Sequence, residues 1–128
     1  GPIGDQIRTK GAEFGSTTGR PRRCGWIDLP ALRQAARLNG LTELAVTKID
    51  VLADIPVLRV AVEHGPDGPV YVDLPGFGDV SAARAWEELP PAAQRYLQLI
   101  AEQVGVPVRI VSVGAERAAL MTLPEGTP

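Results

Sequence analysis

Apolar runs of strand length alternate along this chain with stretches of helical period. ELAVT at 43–47 reads as a strand buried on both faces. VLRVAV at 57–62 predicts a second strand. Val70-Tyr71-Val72 predicts a third, returning from the turn His64-Gly65-Pro66-Asp67-Gly68-Pro69. Val108 to Val111 is a further buried strand, and residues 118–123 a last short one. A helix is predicted over 29–39: Leu32, Ala35, Ala36 and Leu38 form its apolar side. Asp28 caps it, Pro30 fits its first turn, and Gly40 stands where a left-handed terminating residue belongs. A second helix runs from about 90 to 104, with Leu89, Ala93, Tyr96, Leu97, Ile100 and Val104 on one face, Gly105 at its end and Pro107 beyond. Residues 3–14 read as a short helix, from Ile3 and Ile7 at a four-residue spacing. Residues 75–89 have no period, and the last four read as a loose tail. Helices alternating with buried strands place the chain in the α/β class, without internal repeats.

Composition narrows the picture. With 128 residues this is one domain or a piece of one, and 45% apolar residues argue for a real core. The net charge of −2 gives no bulk attraction to nucleic acid or to a membrane surface. The lone Cys24 excludes an internal disulfide and a cysteine-based zinc site, and it fits a reducing, cytoplasmic setting. No run of eighteen apolar residues is present to span a membrane. Asp5, Arg8 and Lys10 interrupt any signal-peptide core. Gly1-Pro2 has the look of a protease-cut tag remnant. The expectation is therefore a single segment, residues 3–128, taken from something larger.

Two stretches carry candidate chemistry. The first is LAVTKID, residues 44–50, where an apolar strand stops on Thr47, Lys48 and Asp50. Ligands of α/β sheets sit beyond the carboxyl ends of the strands. A carboxylate there can accept two parallel hydrogen bonds, and guanine offers two neighbouring donors where adenine does not. Lys48 can lay its methylene stem along a base while its ammonium reaches outward. By itself a Lys-x-Asp at a strand end is an ordinary solvated pair. A second strand end strengthens the guanine reading: Ser112-Val113-Gly114 follows VPVRIV, and small residues let backbone N–H groups approach a base carbonyl.

The second stretch is GSTTGRPRRCGW, residues 15–26, which has no secondary-structure period. Arg20, Arg22 and Arg23 present planar donor forks suited to carboxylates and phosphates. Ser16, Thr17 and Thr18 add hydroxyls, while Gly19 and Pro21 shape the chain between them. Small anions are the natural ligand. The plain alternative is a solvated basic turn. A nucleic-acid reading, with Trp26 stacking on a base, is opposed by the mild acidity of the rest of the chain.

Taken together, GSTTGRPRRCGWIDLPALRQAARLNGLTELAVTKIDVL, then PVYVDLPGF, then GVPVRIVSVG resemble the C-terminal part of adenylosuccinate synthetase over roughly residues 3–121. That family joins IMP to L-aspartate with GTP, releasing GDP and phosphate. The resemblance implies that residues Ser16 to Arg22 form the loop that closes over aspartate. Arg20 falls on the IMP contact and also helps hold the aspartate carboxylates. Arg22 matches a GTP contact, Lys48, Ile49 and Asp50 the guanine-recognising strand end, and Ser112, Val113 and Gly114 the second guanine-side contact. It also implies magnesium and a homodimer for the complete enzyme, with the remainder of the enzyme chain as this segment's partner.

The resemblance has gaps. The family's glycine-rich phosphate loop and its catalytic Asp and His belong to its N-terminal region, and no Gly-x-x-x-x-Gly-Lys stretch occurs here. The chain by itself is expected to lack turnover, with no catalytic residue and no metal ligand of its own. His64 reads as an exposed turn residue and Cys24 as a small packing residue. The stretch between His64 and Val70 is shorter than in many members, Phe77 stands for the usual Trp, and Ala115 for the common Pro. Two other classes compete: a non-catalytic guanine-nucleotide binding module, and an inert structural or scaffold fragment.

Overall fold

Asp28 opens the first helix as predicted. Its Oδ1 accepts the Ala31 N–H at 3.1 Å, and Pro30 lies in the first turn, where no intrahelical N–H is needed. Helix α1 runs Leu29–Leu38 and ends at Asn39, with Gly40 following at φ 61°. Leu29, Leu32 and Ala36 are buried. Leu38 departs from the expected apolar side and is 77% exposed, because the helix ends on it and the chain turns away. The structure, a computed structural model, describes residues 11–15, 27–125 and 127.

Among the described residues seven strands form two sheets. The first contains β1 (Gly11–Gly15), β3 (Glu43–Thr47), β6 (Val108–Ser112) and β7 (Leu120–Thr122), in that spatial order. Within it β1, β3 and β6 are parallel and β7 antiparallel. The second sheet orders β2 (Ile27–Asp28), β4 (Val57–Gly65) and β5 (Gly68–Pro75), with β2 parallel and β5 antiparallel to β4. Two of the three expected helices and all the expected strands are present.

Two expectations are corrected. Residues 11–14, assigned to a short helix from the Ile3 and Ile7 spacing, belong instead to β1, and residues 3–10 lie outside the described set. Partner pairing decides this: each residue from Gly11 to Gly15 is in register with one of β3, a tertiary constraint that local spacing does not reveal. Strand β3 is not sealed on both faces. Leu44 and Val46 are fully buried, while Glu43, Ala45 and Thr47 are half-buried.

Helix α2 (Pro91–Val104) buries the face the sequence marks out: Ala93, Tyr96, Leu97, Ile100 and Val104, joined by Leu89 just before it. Each fully buried large side chain contributes roughly 1.5–3 kcal/mol of transfer free energy. Gly105 at φ 88° ends the helix, and its N–H returns to the Ala101 carbonyl at 2.8 Å. The irregular stretch from Pro75 to Leu89 is pinned to this helix. Phe77 tilts against Tyr96 with ring centroids 5.7 Å apart, and the Gln94 side-chain amide donates to the Trp86 carbonyl at 2.9 Å. One contiguous core runs from α1 through β3 and β4 to α2 and β6.

Candidate functional site

Parallel pairing of β3 with β6 brings their carboxyl ends to the same side of the sheet. Leu44 is in register with Val108, and a one-residue irregularity then sets Ala45 against Ile110 and Val46 against Val111. The TKID and Ser-x-Gly stretches, 64 residues apart in sequence, therefore meet. The contact is direct: the Lys48 N–H donates to the Ser112 hydroxyl at 2.6 Å. Ser112 is 6% exposed, a buried polar side chain.

At Lys48 the strand stops being a strand. Its backbone sits at φ 58°, ψ 44°, and no other described non-glycine residue has positive φ. The kink feeds a short 3-10 turn, Ile49–Leu52, whose Ile49 and Leu52 are fully buried. Between those two anchors Asp50 is held half-buried at the mouth of the strand ends. Its Oδ1 is sealed from solvent and takes no hydrogen bond from any described residue. A carboxylate oxygen so placed is costly unless a donor reaches it. The Lys48 side chain is exposed.

Not every expected site residue presents a group outward. Ile49 and Val113 are fully buried and pack in the core. The Val113 N–H is already donated to the Ala119 carbonyl at 2.9 Å. Gly114 is close-packed: a Cβ there would come within 3.0 Å of Ala119 Cβ and of Glu116 Oε1. The donor set at this end is thus narrower than three consecutive amides, with the Ser112 hydroxyl at its centre.

Ser16, Thr17, Thr18, Gly19, Arg20, Pro21 and Arg22 lie outside the described residues, as do Arg23, Cys24 and Trp26. The ends of that segment are placed. Gly15, its first residue, is in register with Thr47, one position before Lys48. Ile27 resumes the chain in β2, with Asp28 capping α1.

His64 is exposed, but it belongs to β4 rather than to the turn, and its Nε2 faces the Asp28 carboxylate. Nothing in the local sequence pairs residues 28 and 64. The register of β2 with β4 does, by setting Asp28 beside Ala61. Among the described residues no group of three or more His, Cys, Asp or Glu stands together to hold a metal ion. No described helix is long and apolar enough to cross a membrane.

Comparisons with known proteins agree in direction. The family model for adenylosuccinate synthetase matches residues 1–121. The adenylosuccinate synthetase of Sorangium cellulosum (strain So ce56) is 46% identical over 135 aligned positions, covering 93% of this chain and 32% of that protein. That of Desulfovibrio desulfuricans (strain ATCC 27774 / DSM 6949 / MB) is 46% identical over 89% of this chain and 31% of its own length. The 135 positions exceed the 128 residues of this chain, so the Sorangium relative holds residues with no counterpart here. The chain spans about a third of the length of the curated relatives it matches. A solved structure, described as fully ligated adenylosuccinate synthetase from Plasmodium falciparum, superposes with a TM-score of 0.69 at 23% identity, over 75% of this chain and 28% of the other. That likeness speaks to the fold.

Proposed function

This chain belongs to the adenylosuccinate synthetase family, and we propose that it is the part of such a ligase that reads the guanine of GTP. In this reading Asp50 accepts the guanine ring N–H and exocyclic amine, and the Lys48 stem lies along the base. The turn from Ser112 to Gly114 serves the base carbonyl. The carrying observation is the meeting of the two strand ends, Lys48 N–H on Ser112 Oγ at 2.6 Å, beside a buried Asp50 oxygen that no described residue satisfies. A ligand with two adjacent donors would supply what that oxygen lacks.

The arginine loop completes the proposal by family resemblance. Arg20 would bind IMP and, with Ser16 to Gly19, grip the aspartate carboxylates, while Arg22 would reach GTP. Its starting point at Gly15, in register with Thr47, supports a loop that shares one ligand cluster with Lys48. In the complete enzyme GTP would phosphorylate the inosine oxygen. The aspartate amine would then displace that phosphate, leaving adenylosuccinate, GDP and inorganic phosphate. This segment would contribute by holding the reactants in line and neutralising their charge. Magnesium would be bound by the nucleotide phosphates and by residues elsewhere in the enzyme. A homodimeric, cytoplasmic enzyme is part of the same reading, the single cysteine suiting a reducing compartment.

Calorimetric titration tests it. GDP should bind and ADP should not, and Asp50→Asn should erase the difference. Equal or absent binding of both nucleotides by the unsubstituted chain would leave only an inert fragment. The chain by itself should show no turnover of IMP, GTP and aspartate above background in a coupled assay.

A further inference from the structure

We infer that Ser112 is a positioning residue, whose hydroxyl holds the Lys48 backbone in the left-handed conformation that aims Asp50. What Asp50 is aimed at rests on the guanine reading above; the hydrogen bond and the kink do not.

Strand β3 is extended through Thr47, and Lys48 then turns to φ 58°, ψ 44°. A side chain with a Cβ rarely adopts that conformation and stays there only when its surroundings impose it. The surroundings act from both sides. Downstream, the buried Ile49 and Leu52 draw the chain into the core, and Val51 N–H bonds to the Lys48 carbonyl at 3.2 Å. Upstream, the restraint is the Ser112 hydroxyl, which takes the Lys48 N–H at 2.6 Å, at the short end for such a bond. Were Lys48 to relax to an extended conformation, β3 would run straight on and Asp50 would move away from the end of β6.

The hydroxyl has a second capacity. In accepting from Lys48 it keeps its own proton, and a serine hydroxyl can donate while it accepts. The neighbouring Val113 N–H is committed to the Ala119 carbonyl, whereas this proton stands directly beside the Lys48 amide at the β3 end. One buried group thus fixes the acid through the Lys48 backbone and is poised to meet the opposite edge of the same ligand.

The test uses the 128-residue chain with isotope labels, without ligand and then with GDP or ADP. In the unsubstituted chain the Lys48 amide should be protected from exchange, with backbone couplings and shifts of positive φ. Ser112→Ala should lower that protection roughly five- to tenfold and shift Lys48, Ile49 and Asp50, while the Leu32 and Ile100 amides hold theirs. Ser112→Thr, which keeps the hydroxyl, should restore the Lys48 signature. The preference for GDP over ADP should fall by a similar factor in the alanine variant and return in the threonine variant. If alanine unfolds the chain, Ser112→Cys, with a poorer acceptor of similar size, reads the same quantities. Unchanged Lys48 protection and conformation in Ser112→Ala would overturn the inference. So would a GDP preference that survives it. If Lys48 responds as stated but no form of the chain prefers GDP, the positioning role stands and the guanine reading falls.

Discussion

His64 Nε2 lies 3.1 Å and 3.2 Å from the two carboxylate oxygens of Asp28, the acid that also accepts the Ala31 N–H at the start of α1. A single carboxylate therefore caps the helix and ties it to β4. The two contacts are not equal. The side chains are 54% and 46% exposed, so the pair across β4 is solvated and worth about 0–1 kcal/mol, whereas an Asp N-cap is worth about 1 kcal/mol. Asp28→Ala should lower the unfolding free energy by about 1–2 kcal/mol. Asp28→Asn should keep most of the cap, and His64→Ala should lose less than about 1 kcal/mol. Urea unfolding of the three variants checks this. A His64→Ala loss as large as that of Asp28→Ala would mean that the cross-strand contact, not the cap, carries the effect.

How much of this was legible beforehand depended on how local each signal was. Asp28, Pro30 and Gly40 announced α1 because caps act within one turn. The α2 face from Ala93 to Val104 was readable from its period alone. Strand β1 was missed because Gly11 to Gly15 owe their extended form to partners 32 residues onward in β3, a long-range pairing with no period of its own. The site divides in the same way. Thr47-Lys48-Ile49-Asp50 could be picked out as a strand end carrying polar groups, and Ser112 as a small residue after a strand. The left-handed turn at Lys48 and its bond to Ser112 could not, since lysine gives no local reason for positive φ. That Ile49 is a core residue inside a candidate binding motif follows from the kink as well, since the 3-10 turn it opens buries Ile49 and Leu52; Val113 is buried with Val111 and Ser112 at the end of β6.

Gly76 should be intolerant of any side chain. Its N–H reaches the Pro56 carbonyl at 2.8 Å, so the chain entering the irregular 76–89 stretch lies flat against the segment leading into β4. A Cβ built there runs into the Ile55 carbonyl oxygen, and backbone cannot move aside as a flexible side chain can. Gly76→Ala should destabilise the chain by about 1–3 kcal/mol or more. Gly65→Ala is the control: its nearest neighbours would be at 3.4 Å and 3.5 Å, ordinary contact distance, and the change should stay within about 0.5 kcal/mol. Thermal melts of both variants decide it, and similar midpoints would refute the close-approach argument.

Asp73 should leave a mark on the acid side of the stability profile. Arg59 donates to it at 3.0 Å and 3.4 Å and holds its carboxyl below the ordinary value of 3.8. The same guanidinium lies 5.5 Å from the Tyr71 ring centroid, which keeps the fork in place. A depressed carboxylate pKa means that the folded chain favours the ionised form. The contribution is therefore fully present above the ordinary value and is lost as pH falls through the lowered one. Asp73→Asn should lower the melting temperature slightly at neutral pH, where the contribution is present, and flatten the acid side of the profile, so that the two chains converge as pH falls. Both side chains are exposed, so about 1 M salt should shrink the difference between the two chains. A difference that persists at high salt would point to packing instead.

Asp50 should trade stability against recognition. Its buried Oδ1 has no donor among the described residues, and such an oxygen carries a desolvation penalty of about 1–3 kcal/mol that the unligated chain does not recover. Asp50→Ala removes the oxygen and lengthens no side chain into the core, while the anchors Ile49 and Leu52 stay in place. The variant should melt at the same temperature as the parent or higher, in contrast to most changes at a half-buried position. Its discrimination between GDP and ADP should disappear. Discrimination must fall without a fall in stability. Loss of stability together with loss of discrimination would mark Asp50 as a structural acid, held by a partner in the folded chain, and would remove the main support for a ligand at the β3 and β6 ends.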